Sequence, residues 1–191
     1  MQNDWQKAKK ILEDNGQPAQ AGVAVIPTDT LYGIVASAFS PKAVERIYKI
    51  KERGKTKPLI VLISSVKDLE KFDIKGDFSK IFIPKVSVLL SCKKASFKYI
   101  HRGTNEIAFR LISKKNKNLF NLINKVGPIV APSANKESDK PAETIKMAKE
   151  YFGEKVDCYI DGGRKVGEPS TLIRVNNGKI EILRQGVVKI K

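Results

Sequence analysis

The chain has 191 residues, 41% of them hydrophobic, with 36 basic and 20 acidic side chains and a formal net charge of +16. That length fits one domain, residues 1–191, able to bury a sizeable core. No apolar run approaches the roughly 18 residues of a membrane helix, because Pro27, Asp29 and Gly33 break the stretch from Ile26 to Ala38. Two distant cysteines and one histidine build neither a tetrahedral zinc site nor a disulfide framework. The first ten residues lack the apolar core of a secretory signal, so a soluble, cytoplasmic protein is expected.

Trp5, Ala8, Ile11 and Leu12 recur at helical spacing, and Asn15-Gly16 supplies a stop. Gly22 to Ile26 reads as a buried strand ending at Pro27. Ser40-Pro41 is an N-cap followed by proline at the first helical position, and Val44, Ile47 and Tyr48 stripe a helix running to about Arg53. Leu59 to Ile63 is a second buried strand, and Ser65 caps a short helix to Phe72. Ser87 to Cys92 and Ile107 to Leu111 are strands separated by a lysine-rich loop. Leu119, Leu122, Ile123 and Val126 form one helix face, and Pro128 to Ala131 returns to the sheet. Pro141 to Phe152 reads as helix, and Val156 to Ile160 as a strand ending at Asp161-Gly162-Gly163. Thr171 to Val175 and Lys179 to Leu183 flank Asn176-Asn177-Gly178, a hairpin signal. Helices alternating with strands and closing on a hairpin predict one α/β domain with a mixed sheet.

Familiar catalytic templates are missing. The sequence has no G-x-x-x-x-G-K-[ST] phosphate loop, no G-x-G-x-x-G after a strand and no G-x-S-x-G elbow. His101 sits in the basic segment Tyr99 to Gly103 and reads as a solvent-exposed loop residue. Cys92 and Cys158 read as small core residues. Any chemistry must therefore come from placed charge rather than from an activated nucleophile.

The positive charge is uneven. Between Lys80 and Lys136 there are twelve Lys or Arg and one acid, Glu106. Such a stretch suits tRNA or double-stranded RNA, although only seven of the 36 cations are arginines, the residue preferred for bidentate phosphate contacts. Four polar segments fall at predicted strand ends, the edge where α/β sheets bind ligands. Pro27 to Gly33 brings two threonine hydroxyls and Asp29. Lys51 to Lys57 packs four cations and Glu52, enough for a phosphate clamp or for a favoured helix C-terminus. Ala131 to Asn135 and Pro169 to Thr171, with Arg184 to Gly186, offer small polar residues. Each alone reads as a turn sooner than as a site; together they point to one shared pocket.

These segments carry a resemblance. Pro27-Thr-Asp-Thr-Leu-Tyr-Gly33, Lys51-x-Arg53 with Lys57-Pro58-Leu59-Ile60, Ser133-Ala-Asn135, Ser170-Thr171 and Leu183-Arg184-x-Gly186 resemble, in this order, the threonylcarbamoyl-AMP synthase family of YrdC/TsaC proteins. The similarity spans Gly22 to Gly186. It implies a YrdC-like fold, a twisted mixed β-sheet flanked by helices around a positively charged cavity. It also implies the reaction of L-threonine, bicarbonate and ATP to threonylcarbamoyl-AMP and pyrophosphate, with Mg2+ accompanying ATP and no metal ligand from protein side chains. The product would feed a tRNA-modification transferase complex. Carried over by position, Lys51, Arg53 and Lys57 are the basic trio around the reacting phosphate and carbamate. Thr28, Thr30, Arg110 and Ser170 take threonine, with Tyr32 shaping the same wall. Lys51, Arg53, Ser133, Asn135 and Arg184 take ATP.

The chain departs from the family at Phe82-Ile-Pro-Lys-Val-Ser87, where a Trp-Pro-Gly-Pro-x-Thr stretch is usual; Ser87 would supply the hydroxyl. Gly54 replaces a proline, and Lys136-Glu-Ser-Asp-Lys140 is an unusual loop. The competing readings are a paralogue of the same fold that binds RNA or nucleotide without this activity, and a carbamoyl-transferring maturation module, which normally sits in a much larger protein.

Overall fold

Alternation along the strands decides how this chain is layered. The computed structural model describes residues 2–13, 22–78, 80–176 and 179–190, with only the backbone for Gln2, Asn3 and Asn176. The strands are β1 (Ala24–Pro27), β2 (Tyr32–Ser37), β3 (Ile60–Ile63), β4 (Val86–Ser91), β5 (Glu106–Leu111), β6 (Ile129–Val130), β7 (Cys158–Tyr159), β8 (Thr171–Asn176) and β9 (Lys179–Arg184). They join in the order β7-β1-β2-β6-β3-β5-β4-β8-β9. The β1–β7, β3–β5 and β4–β8 pairs are parallel and the rest antiparallel. The mixed sheet expected from the final hairpin is therefore present.

Successive side chains of a strand point to opposite faces. On one face Val25, Ile34, Ala36, Val61, Ile63, Val88 and Phe109 meet the helices α2 (Pro41–Ile50), α3 (Lys98–His101) and α5 (Ile145–Phe152), together with the 3-10 helix Val66–Phe72. On the other, Ala24, Ile26, Val35, Leu62 and Ile129 meet α1 (Gln2–Leu12) and α4 (Lys117–Val126) through Ala8, Leu12, Leu119, Leu122 and Ile123. That second cover reaches only part of the sheet. Past β3 the same face carries Arg110, Ala108, Ser87, Leu89 and Leu172, and these line a cavity.

Local signals explain the helix starts. Ser40 accepts the Ala43 N–H at 3.3 Å, with Pro41 at the first position. Ser65 and Asp68 form a capping box on the 3-10 helix. The helix read from Pro141 begins at Ile145, because Thr144 accepts the Met147 N–H at 3.2 Å and sets the cap. The helix read to Arg53 ends at Ile50, with Lys51 as its C-cap. β2, not expected from the sequence, pairs with β1 as a tight hairpin in the register Pro27↔Tyr32. The lysine-rich stretch after β4 holds a 3-10 turn, Ala95–Phe97, and α3 rather than a plain loop. The predicted stop at Asn15-Gly16, and Asn177-Gly178 of the hairpin, lie outside the described residues.

His101 corrects the expectation of an exposed loop residue: it is buried, and its Nδ1 accepts the N–H groups of Gly103 and Asn105 at 3.1 and 3.3 Å. Those two bonds fold the chain back after α3, where Arg102 and Asn105 adopt positive φ. Cys92 and Cys158 are buried, and burial pushes both thiols up. Among the described residues, no helix is long and apolar enough to cross a membrane.

Candidate functional site

The cavity has a volume of about 410 Å³ and opens where the α1/α4 cover ends. Its wall gathers Thr28, Thr30, Arg53, Arg110, Ser133, Ser170 and Arg184, seven of the residues singled out in the sequence, along with Tyr32 and Ser87. Lys51 and Asn135 adjoin this wall through Ser133, to which Lys51 donates and from which Asn135 accepts, and Lys57 O accepts from Arg53. A second hollow of about 550 Å³ lies between α1 and α4, lined by Trp5, Lys9, Asn118, Asn121 and Lys125 among others, and gathers none of those residues.

The segment between β1 and β2 is a self-bonded turn. Thr28 accepts the Thr30 N–H at 3.3 Å and donates its hydroxyl to Leu31 O at 2.6 Å. This is the turn that Asp and Thr residues favour, and it projects Asp29 and Thr30 toward β5. There Arg110 pairs with Asp29, Nη2 to Oδ1 at 3.0 Å, and donates from Nη1 to Thr30 Oγ1 at 3.4 Å. Arg110 is 4% exposed and its Nε has no hydrogen-bond partner among the described residues. Burial pushes its guanidinium below the ordinary value; Asp29 opposes the shift and the positive field of Arg184 adds to it. A guanidinium on a cavity wall suits a planar anion such as a carboxylate.

The opposite wall comes from β4, β8 and β9. Ser87 and Ser170, both buried, share a hydrogen bond of 2.8 Å. Arg184 donates to Ser170 O at 2.8 Å from Nη2 and 3.3 Å from Nε. Although much of Arg184 is exposed, burial of its head lowers its value too. Gly186 makes this closure feasible: a Cβ there would lie 2.3 Å from Pro169 O. At the floor, Arg174 holds Glu106 through two bonds of 3.0 Å and reaches Glu181 at 2.9 Å. Glu106 and Thr104 line the cavity, though nothing in the sequence marked them.

The loop after α2 supplies the third wall. Arg53 rests on Lys57 O at 3.4 Å and Pro58 O at 3.0 Å, so its charge faces carbonyl dipoles rather than a carboxylate. Lys57 turns outward onto Glu137, which also accepts the Gly54 N–H at 2.5 Å. Lys51 is 2% exposed, and its Nζ donates to Ser133 O at 2.5 Å and to Asn135 O. Burial, then Arg53, push Lys51 down to about 7 against the pull of Glu137; the surrounding oxygens also favour the charged form.

Three arginines thus line a partly enclosed space; Glu106 on its wall is paired with Arg174, and Asp29 beside it with Arg110. The surplus charge is positive, which suits a polyanion, and hydroxyls of Thr30, Ser87, Ser133 and Ser170 offer neutral contacts. Among the described residues no group of three His, Cys, Asp or Glu could hold a metal ion.

Known proteins resemble this chain over nearly its whole length. The Sua5_yciO_yrdC family profile, described as Telomere recombination, matches residues 19–186. A putative threonylcarbamoyl-AMP synthase of Methanocaldococcus jannaschii is 31% identical over 192 aligned positions, covering 97% of this chain and 90% of the relative. The threonylcarbamoyl-AMP synthase of Pyrococcus abyssi is 33% identical over 187 positions, 93% of this chain and 54% of the relative. The crystal structure of P. abyssi Sua5 complexed with L-threonine superposes with a TM-score of 0.81 at 28% identity, over 95% of this chain and 54% of the other. The chain therefore spans about half the length of the Pyrococcus protein and nine tenths of the Methanocaldococcus one.

Proposed function

The chain belongs to the Sua5/YciO/YrdC family, and from that membership and the cavity we propose that it is an L-threonylcarbamoyladenylate synthase. As such it is a nucleotidyltransferase, joining L-threonine, bicarbonate and ATP. The observation that carries the reading is that the buried Arg110 lines the same 410 Å³ cavity as Arg53 and Arg184. One carboxylate and one polyphosphate need separate cations inside a single enclosure, and this wall provides them.

Arg110 takes the threonine carboxylate, with Thr30 and the Ser87–Ser170 hydroxyl pair around the substrate side chain. The threonine amine and bicarbonate condense to a carbamate and water. A carbamate oxygen then attacks the α-phosphorus of ATP, and pyrophosphate leaves with the electron pair of the broken phosphoanhydride bond. Two anions must approach for that step, so Arg53 and Arg184 lower the repulsion, and fixed orientation contributes at best about 7–11 kcal/mol. Mg2+ enters with the nucleotide as Mg·ATP, since the cavity carboxylates are occupied by arginines. The adenylate is consumed by a transferase complex that modifies tRNA. The reaction belongs to the cytoplasm, where ATP and tRNA are found.

Incubation with ATP, L-threonine and labelled bicarbonate tests the reading. Pyrophosphate and a labelled adenylate should form only when threonine and bicarbonate are both present. RNA binding with a steep salt dependence and no turnover would instead select the paralogue reading.

A further inference from the structure

We propose that Arg174 is a positioning residue: it holds the Glu106 carboxylate toward β8, so that the arginines of the cavity stay free for a polyphosphate. The inference rests on the synthase reading for naming that polyphosphate ATP; the geometry beneath it is independent of the reading.

Among the described residues, Glu106 is the one carboxylate that lines the cavity, and it shares that space with Arg53, Arg110 and Arg184. A carboxylate left loose among guanidiniums pairs with one of them, and a guanidinium so occupied is lost to an incoming anion. A cavity with a surplus of positive charge keeps that surplus only while this carboxylate is engaged elsewhere.

The strand register supplies the means. β4 lies between β5 and β8, with Leu89 opposite both Ala108 and Arg174, and Ser91 opposite Glu106. Side chains of one face recur at every second position. Glu106 therefore shares the face of Ala108, and Arg174 that of Leu172, the face on which Ala108, Leu89 and Leu172 line the cavity. The pair reaches across β4, a gap of at least two strand spacings, about 9–10 Å, which the long stems of Arg and Glu close together. Arg174 Nε donates to Glu106 Oε1 and Nη2 to Oε2, each at 3.0 Å, and Nη1 donates to Glu181 Oε2 on β9 at 2.9 Å. A planar fork thus takes both oxygens of Glu106, a geometry that a lysine ammonium cannot copy. The side chains of Arg174 and Glu106 are 28% and 30% exposed. A pair so open to water adds little to stability, and its consequence lies in where it keeps the charge of Glu106.

The test is a double-mutant cycle on Mg·ATP affinity, read by titration calorimetry with denaturant unfolding and steady-state kinetics alongside. Arg174→Met should weaken ATP binding and raise the KM for ATP about tenfold, with kcat within about twofold and the unfolding midpoint nearly unmoved. In the Glu106→Gln background the same substitution should change ATP affinity by less than about threefold, because no carboxylate is set loose. Arg174→Lys keeps the charge without the fork; it should give an intermediate loss, and it carries the cycle if the methionine variant does not fold. Equal losses in both backgrounds would make Arg174 act on the nucleotide by itself and overturn the proposal. Unchanged affinity in Arg174→Met, or an affinity loss matched by a large drop in the unfolding midpoint, would overturn it equally. A wild type that binds Mg·ATP without turnover would remove the synthase reading and leave the cycle to decide the role of Arg174. A wild type that binds no polyphosphate would overturn both.

Discussion

One face of the sheet has two halves that follow opposite rules. Over β1, β2, β6 and part of β3 it is sealed by α1 and α4, and the side chains that meet there are Ala24, Ile26, Val35, Leu62 and Ile129 against Leu12, Leu119 and Ile123. Over β5, β4 and β8 no helix among the described residues covers it, and the same strand positions hold Glu106, Arg110 and Ser87 among Ala108, Leu89 and Leu172, with Ser170 and Arg184 beside them. The sealed half obtains its stability from area removed from water. The open half gives up that burial and pairs its carboxylates with arginines, Asp29 with Arg110 and Glu106 with Arg174, because a lone buried charge costs several kcal/mol. Fold and site are thus separated by where the helical cover stops.

The sharpest way to break the contrast is Arg110→Ala. It leaves Asp29, whose side chain is 11% exposed, without its cation, so stability should fall by about 3–5 kcal/mol, read by denaturant unfolding, and threonine-dependent turnover should vanish. In the sealed half, Leu119→Ala opens a cavity under α4. It should cost about 2–5 kcal/mol yet leave kcat/KM per folded molecule unchanged. Arg53→Ala should do the reverse, lowering kcat/KM about 100-fold, the scale seen when one preorganised charge contact is lost, with the unfolding midpoint nearly unmoved.

Two smaller effects sharpen the comparison through pH. Lys51 is held at about 7 against its ordinary 10.5. Between those values the unfolded chain binds more protons than the folded one, so this group's burial cost is relieved as pH rises through the window. Lys51→Met should flatten that part of the stability–pH curve. At the sealed edge, Asp157 accepts two bonds from Arg46 at 2.6 and 2.8 Å and one from the Val23 N–H at 2.8 Å. Burial raises its value, but these bonds more than offset it, so it lies below the ordinary carboxylate range. Its contribution is present above the ordinary aspartate value and lost as pH falls below it. For a pair about one third exposed, Asp157→Asn should cost about 1 kcal/mol at neutral pH, and the difference should fade in acid.

Much of this was legible in the sequence, for physical reasons. The stripes on α2 and α4 follow from burying one face, the apolar run of β3 from burying both, and the four polar segments at strand ends do line one cavity with Arg110. β2 was not legible. Tyr32 to Ser37 is buried on both faces and contains Gly33, Ala36 and Ser37, so neither alternation nor a strongly apolar run marks it. His101 looked exposed because its neighbours are basic, whereas two backbone N–H groups donated to its Nδ1 draw it inside. The matching of Asp29 with Arg110 and of Glu106 with Arg174 joins residues far apart in the chain, which only tertiary structure brings together.

The central claim is that the uncovered half of the face, not the α1/α4 groove or the basic surface, holds the substrates. A crystal structure with L-threonine and a non-hydrolysable ATP analogue tests it directly. The account predicts the threonine carboxylate on Arg110 and the phosphates between Arg53 and Arg184. Ligand seated between α1 and α4, or on surface lysines with the Arg110 cavity unchanged, would contradict it.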